Sequence, residues 1–519
     1  MEDHSSLSED QIDELQEKDA PSENPRFAQS HVVFTIYALA LAVSISIWFI
    51  ALRAPLWLDE TGTYWQIDAG FSQIWPRFFL TLSSPEYAYI LWLSTKLIGI
   101  SEIALRIPTI LAMLGAAYVL YLAARELFER DIAFIAAVIF CLNPIVVFAS
   151  IDVRPYAFGV LATNTAILIL VHLRRNNSNW LAALFGVTAA SIVWFQFLFI
   201  DILPALVICF FAVKDCDRRT LWRQFGVALA AFAIAFLPVI PMMLFLLHTS
   251  QAHVGQPAPD LRDLILTLAP GWLFVVLCVT VFVAFLVRGA GVRGYPLNRF
   301  EPRHLLLCAS LALIPPLILY GVSVGTSIHT FSSRYRLDAI PGIALCWTFV
   351  LSRFRVRILR LLFCVTLVTV TACIQFSSPL AKHHDLTWKY ALEVAEKNAS
   401  VDNAPVLMCS GFIEADFVPM PLDSAKESKL LAPLSYYNLS APVIPLPMAL
   451  NDEAMRVGSS FLQEAAQKHE RFLAMAQHSS YKTLDWLTQN ATATYSVRKI
   501  GVFDEIEVLE FVPRTSPAH

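Results

Sequence analysis

Residues 31–60, HVVFTIYALALAVSISIWFIALRAPLWLDE, decide how the rest of the chain is read. From about His31 to Leu52 the run carries no Asp, Glu, Lys or Arg and is long enough to cross a bilayer, for which a helix needs roughly 20 apolar residues. No basic flank precedes it and no small-residue cleavage site follows, so it reads as a membrane anchor and not as a cleaved signal. Immediately beyond it, Leu56-Trp57-Leu58-Asp59-Glu60-Thr61 places two acids close to the membrane, where charge is costly and is usually kept for function.

The whole chain agrees with this reading. Of its 519 residues 56% are apolar and 15% charged, and mean hydropathy is +0.57. A soluble protein of that size needs about 25% charged residues to coat its surface, so a water-soluble enzyme is excluded. A formal net charge of −4 and the absence of any nucleic-acid motif give no reason to expect nucleic acid as a partner. Nine cysteines are too few for a disulfide scaffold; Cys141, Cys209, Cys278, Cys308 and Cys346 lie inside apolar runs as small hydrophobes.

Ten more runs of low charge follow, at about 103–124, 131–149, 155–173, 179–194, 198–213, 224–247, 264–287, 304–321, 337–351 and 358–377. The expected fold class is therefore an all-α polytopic membrane protein of about eleven transmembrane helices. Tyr87 to Ile100, broken by Lys96, is too short to span and is placed along the interface. Basic residues support that choice. With 87–100 left out, the loops on one side hold sixteen Lys or Arg, including Arg174, Arg218, Arg303 and Arg357, and those on the other hold eight. The richer side is cytoplasmic by the positive-inside rule, which puts the N-terminus inside and the C-terminus outside.

Three segments follow. Residues 1–30, with nine Asp or Glu, read as a disordered acidic cytoplasmic tail, residues 31–377 as the transmembrane domain, and residues 378–519 as a small extracytoplasmic α/β domain. In the last, 385–398 and 458–476 read as helices, 404–411 as a strand, and 492–499 with 504–513 as a hairpin. No period of 20–50 residues repeats, so neither a solenoid nor a duplicated transporter is indicated.

Two acidic clusters are the candidates for chemistry. Asp59-Glu60 follows the first span, and Asp152, in Ser150-Ile151-Asp152-Val153-Arg154-Pro155-Tyr156, occupies a short turn at the same membrane face. Such carboxylates can act as general base and orienting partner, or hold a divalent cation between Asp59 and Asp152. The alternative is that Asp59 is a plain interfacial acid and that Asp152 pairs with Arg154. Lys96, Arg106, Arg154, and Arg334 with Arg336 beside Tyr335, are the cations available for a phosphate; snorkelling to lipid headgroups explains Lys96 and Arg106 equally well. His383-His384 reads as a solvated interfacial pair, since only Asp385 stands at ligand spacing. Trp57, Tyr64, Trp65, Trp75, Tyr87, Tyr89 and Trp92 read mostly as an aromatic belt. The sequence has no GxxxxGK[ST], no HExxH and no GxGxxG after a strand, which speaks against ATP-driven transport and zinc-hydrolase layouts.

Four stretches together carry a resemblance over about 30–350: Trp57-Leu58-Asp59-Glu60, Ser101-Glu102-Ile103-Ala104-Leu105-Arg106-Ile107-Pro108, Ser150 to Ala157, and Arg334-Tyr335-Arg336-Leu337-Asp338-Ala339-Ile340-Pro341. In this order and placement the chain resembles the GT-C superfamily of integral-membrane glycosyltransferases. Within it the chain is similar to family 39, the protein O-mannosyltransferases, the aminoarabinose transferases and the transferases that add galacturonic acid to lipopolysaccharide core. The resemblance implies a GT-C fold and inverting transfer of a sugar from a polyprenyl-phosphate donor to a hydroxyl of a lipid, glycan or protein acceptor, at the outer face of a bacterial inner membrane. It implies that Asp59 is the catalytic base or metal-binding carboxylate with Glu60 beside it, and that Asp152 and Arg154 replace a Glu and an Arg of relatives. It assigns Arg334 and Tyr335 to the donor phosphate, to which the cations Arg154 and Lys96 at the same face are added as further candidates. Relatives carry His-Pro-Pro where this chain has Ser84-Pro85-Glu86, and Gln196 replaces another His, so the donor sugar and the use of a metal stay open. A carrier or flippase for a lipid-linked saccharide, and an inactive scaffold subunit, are the competing readings. A carrier should show in-span charges and a repeat, and Asp201 is the one clear in-span acid. The sequons at Asn398, Asn438 and Asn490 are too common to place the protein in a eukaryotic lumen.

Overall fold

A computed structural model describes residues 25–81, 84–213, 217–249, 258–268, 270–288, 301–354, 357–377, 383, 387–412, 429–446, 450–477 and 481–514. All the predicted apolar runs are helical, but they do not all have spanning length. Among the described residues six helices are long and apolar enough to cross a membrane, and up to eight segments qualify if each of two bent pairs counts as one span. The helices Asn179–Phe195 and Phe197–Ala212 are apolar but shorter, and Ile340–Ser352 has 13 residues. The expected count of eleven is therefore not confirmed by length among the described residues, where six to eight segments qualify. Hydropathy marks where apolar segments lie, whereas bends and breaks set how far each reaches. The run at 87–100 belongs to a 14-residue helix, Pro85–Ile98, as its shortness required. Residues 25–30 of the expected disordered tail start the helix Pro25–Ser46; residues 1–24 lie outside the described residues.

Small side chains set the helix packing. Along Glu102–Leu127 the buried positions Met113, Ala116, Ala117, Leu120, Ala124 and Leu127 repeat at the i, i+3, i+4 spacing of one helix face. Against it lies Tyr156–Arg175, whose Asn164 donates to the Ala116 carbonyl at 2.8 Å. The first span is fastened by Trp48 Nε1, which donates to the Cys141 carbonyl at 2.9 Å. At Gly186 the backbones come so close that an added Cβ would sit 2.1 Å from the Ala228 carbonyl oxygen. Gly186→Val is therefore expected to force apart Asn179–Phe195 and Arg218–Phe236 and destabilise the protein by about 1–3 kcal/mol or more. Thermal unfolding in detergent checks this, and an unchanged midpoint would contradict the close approach.

The bend that matters most for function lies between Arg130–Leu142 and Pro144–Ser150, at 70°. Asn143 precedes Pro144, which disfavours helical backbone at residue 143, and its side chain caps the next helix by accepting from Ile145 N at 3.0 Å. The redirected chain then delivers Ser150 to Pro155 to the end of the bundle that carries Asp59.

After the last apolar helix comes a five-stranded mixed sheet. Its strands are β1 Val406–Cys409, β2 Val443–Leu446, β3 Phe472–Gln477, β4 Tyr495–Phe503 and β5 Ile506–Pro513, in the order β2-β1-β3-β5-β4. β1 runs parallel to β2 and β3, and β5 runs antiparallel to β3 and β4. Val406 and Met408 face a cluster with Ala391 and Leu392, while Leu407 and Cys409 face one with Leu484 and Leu487, so the central strands are covered on both faces. That explains one correction. The expected helix 458–476 is in fact the helix Asp452–Lys468, a turn in which His469 takes φ 51°, and then strand β3. Phe472 to Gln477 is buried at every position, and a doubly covered strand shows no alternation to separate it from a helix. The expected strand at 404–411, the hairpin and the helix ending near Asn398 are present as β1, β4–β5 and Lys389–Ala399.

Candidate active site

Leu58–Asp68 begins at Trp57, whose backbone is extended, and its first turn holds Asp59 and Glu60 at the helix end that favours negative charge. The two acids have opposite surroundings. Glu60 is fully buried: its Oε2 accepts from Trp57 N at 3.1 Å and from Arg106 Nη2 at 3.0 Å, and its Oε1 accepts from Val153 N at 2.9 Å. Arg106, also fully buried, donates through Nη1 to the carbonyls of Leu52 at 2.8 Å and Ala54 at 2.7 Å. Arg106 is therefore a buried tie and not the snorkelling cation that its place near a helix end suggested; its partners come from the linker 50 residues away, which no local pattern reveals.

Asp59 instead keeps 24% of its side chain exposed and pairs with Arg334 Nη1 at 2.8 Å. Arg154 lies beside it, with Nη1 3.4 Å from Thr63 Oγ1 and 3.5 Å from the Asp59 carbonyl. Burial alone would raise the Asp59 carboxyl, but the charges of Arg154, Arg334 and Lys429 outweigh it and hold the group below its ordinary value. The guanidinium of Arg334 also lies 5.1 Å from the ring of Tyr335.

Asp152 is fully buried and accepts from Trp57 Nε1 at 3.0 Å, so it does not simply pair with Arg154. Trp57 is thus a buried hydrogen-bond donor to Asp152 and not a belt aromatic. Trp65 and Tyr87 are likewise buried, Tyr87 with its hydroxyl 3.1 Å from Thr109 Oγ1, while Trp75 remains exposed. His383 is a further correction: it is buried, stacked on Phe148 at 4.5 Å and 21°, with Nε2 3.8 Å from both Glu60 and Asp152. It reads as solvated in the sequence because its partners are more than 200 positions away. His384 and Asp385 lie outside the described residues.

The structure brings Asp59, Glu60, Asp152, Arg154, Arg334 and Tyr335 to one end of the bundle, and leaves Lys96 apart. Lys96 is exposed in the last turn of Pro85–Ile98, its ammonium 5.5 Å from the Trp92 ring. Glu86, at the other end of that helix, is pushed up to about 7 by burial, against a hydrogen bond from Ser84 at 3.0 Å.

The sheet domain covers the same end. Trp57 bridges Thr387 backbone to backbone, Tyr437 Oη accepts from Leu56 N at 2.7 Å, and Tyr64 meets Tyr436 edge to face at 5.2 Å. Phe412 seats on Gly62, where an added Cβ would meet its ring at 3.1 Å. Lys429, 8% exposed and 4.9 Å from the Phe412 ring, brings a cation to Asp59 that sequence reasoning missed, since a lysine in a mixed polar segment carries no signal of its own.

Residues 83–245 match the family described as dolichyl-phosphate-mannose-protein mannosyltransferase. No curated protein matches the sequence. Among solved structures, ArnT from Cupriavidus metallidurans in the apo state is similar, with TM-score 0.55 and 12% identity over 93% of this chain and 98% of that one. The same protein bound to undecaprenyl phosphate gives TM-score 0.56 and 12% identity over 91% of this chain and 97% of that one. The chain thus shares the fold of ArnT, and its residues 83–245 match the mannosyltransferase family.

Proposed function

We propose that this protein transfers a sugar, a hexose or pentose, from a polyprenyl-phosphate donor to a hydroxyl of a lipid, glycan or protein acceptor. The observation that carries the reading is the partly exposed Asp59 carboxylate set against Arg334, Arg154 and Lys429 where apolar helices meet the sheet domain. An acceptor hydroxyl is too weak an acid to ionise unaided at neutral pH, so a carboxylate must take its proton as the new glycosidic bond forms. The anomeric carbon–oxygen bond to the lipid phosphate breaks with inversion, the polyprenyl phosphate leaves carrying the electron pair, and the arginines and lysine stabilise it. The undecaprenyl phosphate bound by the ArnT relative supports that donor class.

The Asp59–Arg334 pair gives this chemistry an order. A donor phosphate that takes Arg334 removes the closest cation from Asp59, and the carboxylate becomes a stronger base when a substrate is present. Glu60 and Asp152 act as positioning groups, holding Trp57, Val153 and through them Asp59 and Arg154 in place. Lysine and arginine counts support an outer-face position for this end of the bundle with the N-terminus cytoplasmic, and the resemblance supports a bacterial inner membrane.

Lys429 tests the phosphate assignment away from the base. In proteoliposomes, Lys429→Ala is expected to raise donor KM by about tenfold with little change in kcat, and Lys429→Arg to recover most of the loss. A Lys429→Ala protein with wild-type donor KM would remove the sheet domain from donor binding.

A further inference from the structure

Glu60, Asp152 and His383 come from three separate parts of the chain: the turn after the first span, the loop after the 70° bend, and the link between the last apolar helix and the sheet domain. Their ligand atoms all lie within 4.8 Å of one another, and all three side chains are buried. His383 Nε2 stands 3.8 Å from Glu60 Oε1 and 3.8 Å from Asp152 Oδ1, which is too long for a hydrogen bond to either. Two donors at about 2.0–2.1 Å from one tetrahedral ion lie roughly 3.3–3.4 Å apart, so the two His383 separations would contract by about half an ångström, and the Glu60–Asp152 separation by up to about 1.5 Å, to make these atoms ligands.

Two further observations point into the same gap. His383 Nε2 and Asp152 Oδ2 are buried without a hydrogen-bond partner among the described residues, although polar atoms at such depth are normally paired. The carboxylates are already held from behind, as metal ligands usually are: Glu60 by Arg106 and Val153 N, Asp152 by Trp57 Nε1. Phe148 fixes the plane of the imidazole. Asp59 does not belong to this group, because its carboxylate turns to Arg334.

We propose that Glu60, Asp152 and His383 together bind one divalent transition-metal ion, with zinc the fitting choice for one imidazole and two carboxylates. The ion is structural: it staples the link ahead of the sheet domain to the two loops that carry Asp59 and Arg154. It neutralises the second carboxylate of the cluster, since Arg106 already answers the first. This inference stands apart from the transfer reading, because counting metal does not depend on any sugar being moved.

The test uses full-length protein in detergent, stripped by dialysis against a chelator and reloaded with Zn²⁺ alone. Elemental analysis is expected to find one zinc per chain in wild type and less than a tenth of that in His383→Ala and Asp152→Ala. Zinc should raise the melting temperature of wild type and leave that of His383→Ala unchanged. If either variant fails to fold, X-ray absorption on zinc-loaded wild type decides, with one imidazole nitrogen and oxygen donors expected in the first shell. Wild type that retains no zinc, a His383→Ala protein that retains as much as wild type, or a first shell without imidazole would each overturn the site. So would a melting temperature that ignores zinc.

Discussion

Asp59→Asn is expected to slow sugar transfer by about 10²–10⁴-fold, the range over which a positioned general base acts, while leaving the fold in place. The amide is nearly isosteric with the carboxylate, and the pair it breaks with Arg334 has side chains 24% and 31% exposed, so the stability change should be within about 1 kcal/mol. Donor binding should survive the substitution, since Arg334 and Arg154 remain. The loss therefore falls on kcat and not on donor KM.

The pH profile supplies an independent check. Arg154, Arg334 and Lys429 hold the free Asp59 carboxyl below its ordinary value, so it is ionised through and above the usual carboxylate range. The acid limb of kcat/KM, which reports the free protein, should accordingly fall only below that range. The limb of kcat, which reports the substrate complex, should lie higher, because the donor phosphate has taken Arg334 from Asp59. Limbs in the reverse order would show that the phosphate does not compete for that arginine. A proton-linked loss near pH 7 would point instead to Glu86, whose proton affinity burial raises.

Arg106→Leu carries the largest expected effect on stability, about 3–5 kcal/mol, because it strands a buried charge. Glu60 would lose its guanidinium partner, and the carbonyls of Leu52 and Ala54 would lose their donor. Arg106→Lys should recover only part of this, since one ammonium cannot reproduce a guanidinium that serves two carbonyls and a carboxylate at once. Replacing Glu60 and Arg106 together by apolar residues should cost less than the sum of the single changes, as coupled groups do. Unfolding midpoints of the four proteins in detergent give the cycle. Additive losses, or an Arg106→Leu protein as stable as wild type, would contradict a buried tie between the first span and the site.

What the sequence made legible and what it concealed divide along a physical line. Apolar runs mark helices because hydropathy is local, and the short run at 87–100 was recognisable from length alone. Asp59, Asp152, Arg154 and Arg334 stood out because charge near apolar segments is rare, and the structure brings them together at one end. Arg106 was visible but misread: a cation at the start of a span looks alike whether it reaches lipid headgroups or a carboxylate brought in from residue 60. His383 and Lys429 were hidden for another reason, since each acquires its neighbours only when the sheet domain folds back over the first loop. Trp57 shows the same limit, for an indole beside a span looks like belt until its N–H is found on Asp152. Strand β3 was lost because a strand buried on both faces has no period to read.

The central claim is that a lipid-phosphate sugar is the donor and that Asp59 deprotonates the acceptor. The most direct measurement incubates wild type and Asp59→Asn in proteoliposomes with a panel of labelled polyprenyl-phosphate sugars and a lipid, glycan or peptide acceptor, and follows labelled product together with free polyprenyl phosphate. Wild type is predicted to form product of inverted anomeric configuration in step with polyprenyl phosphate release from at least one donor, and Asp59→Asn to form almost none. A wild type that transfers nothing from any donor of the panel, or an Asp59→Asn protein that transfers at the wild-type rate, would contradict the account.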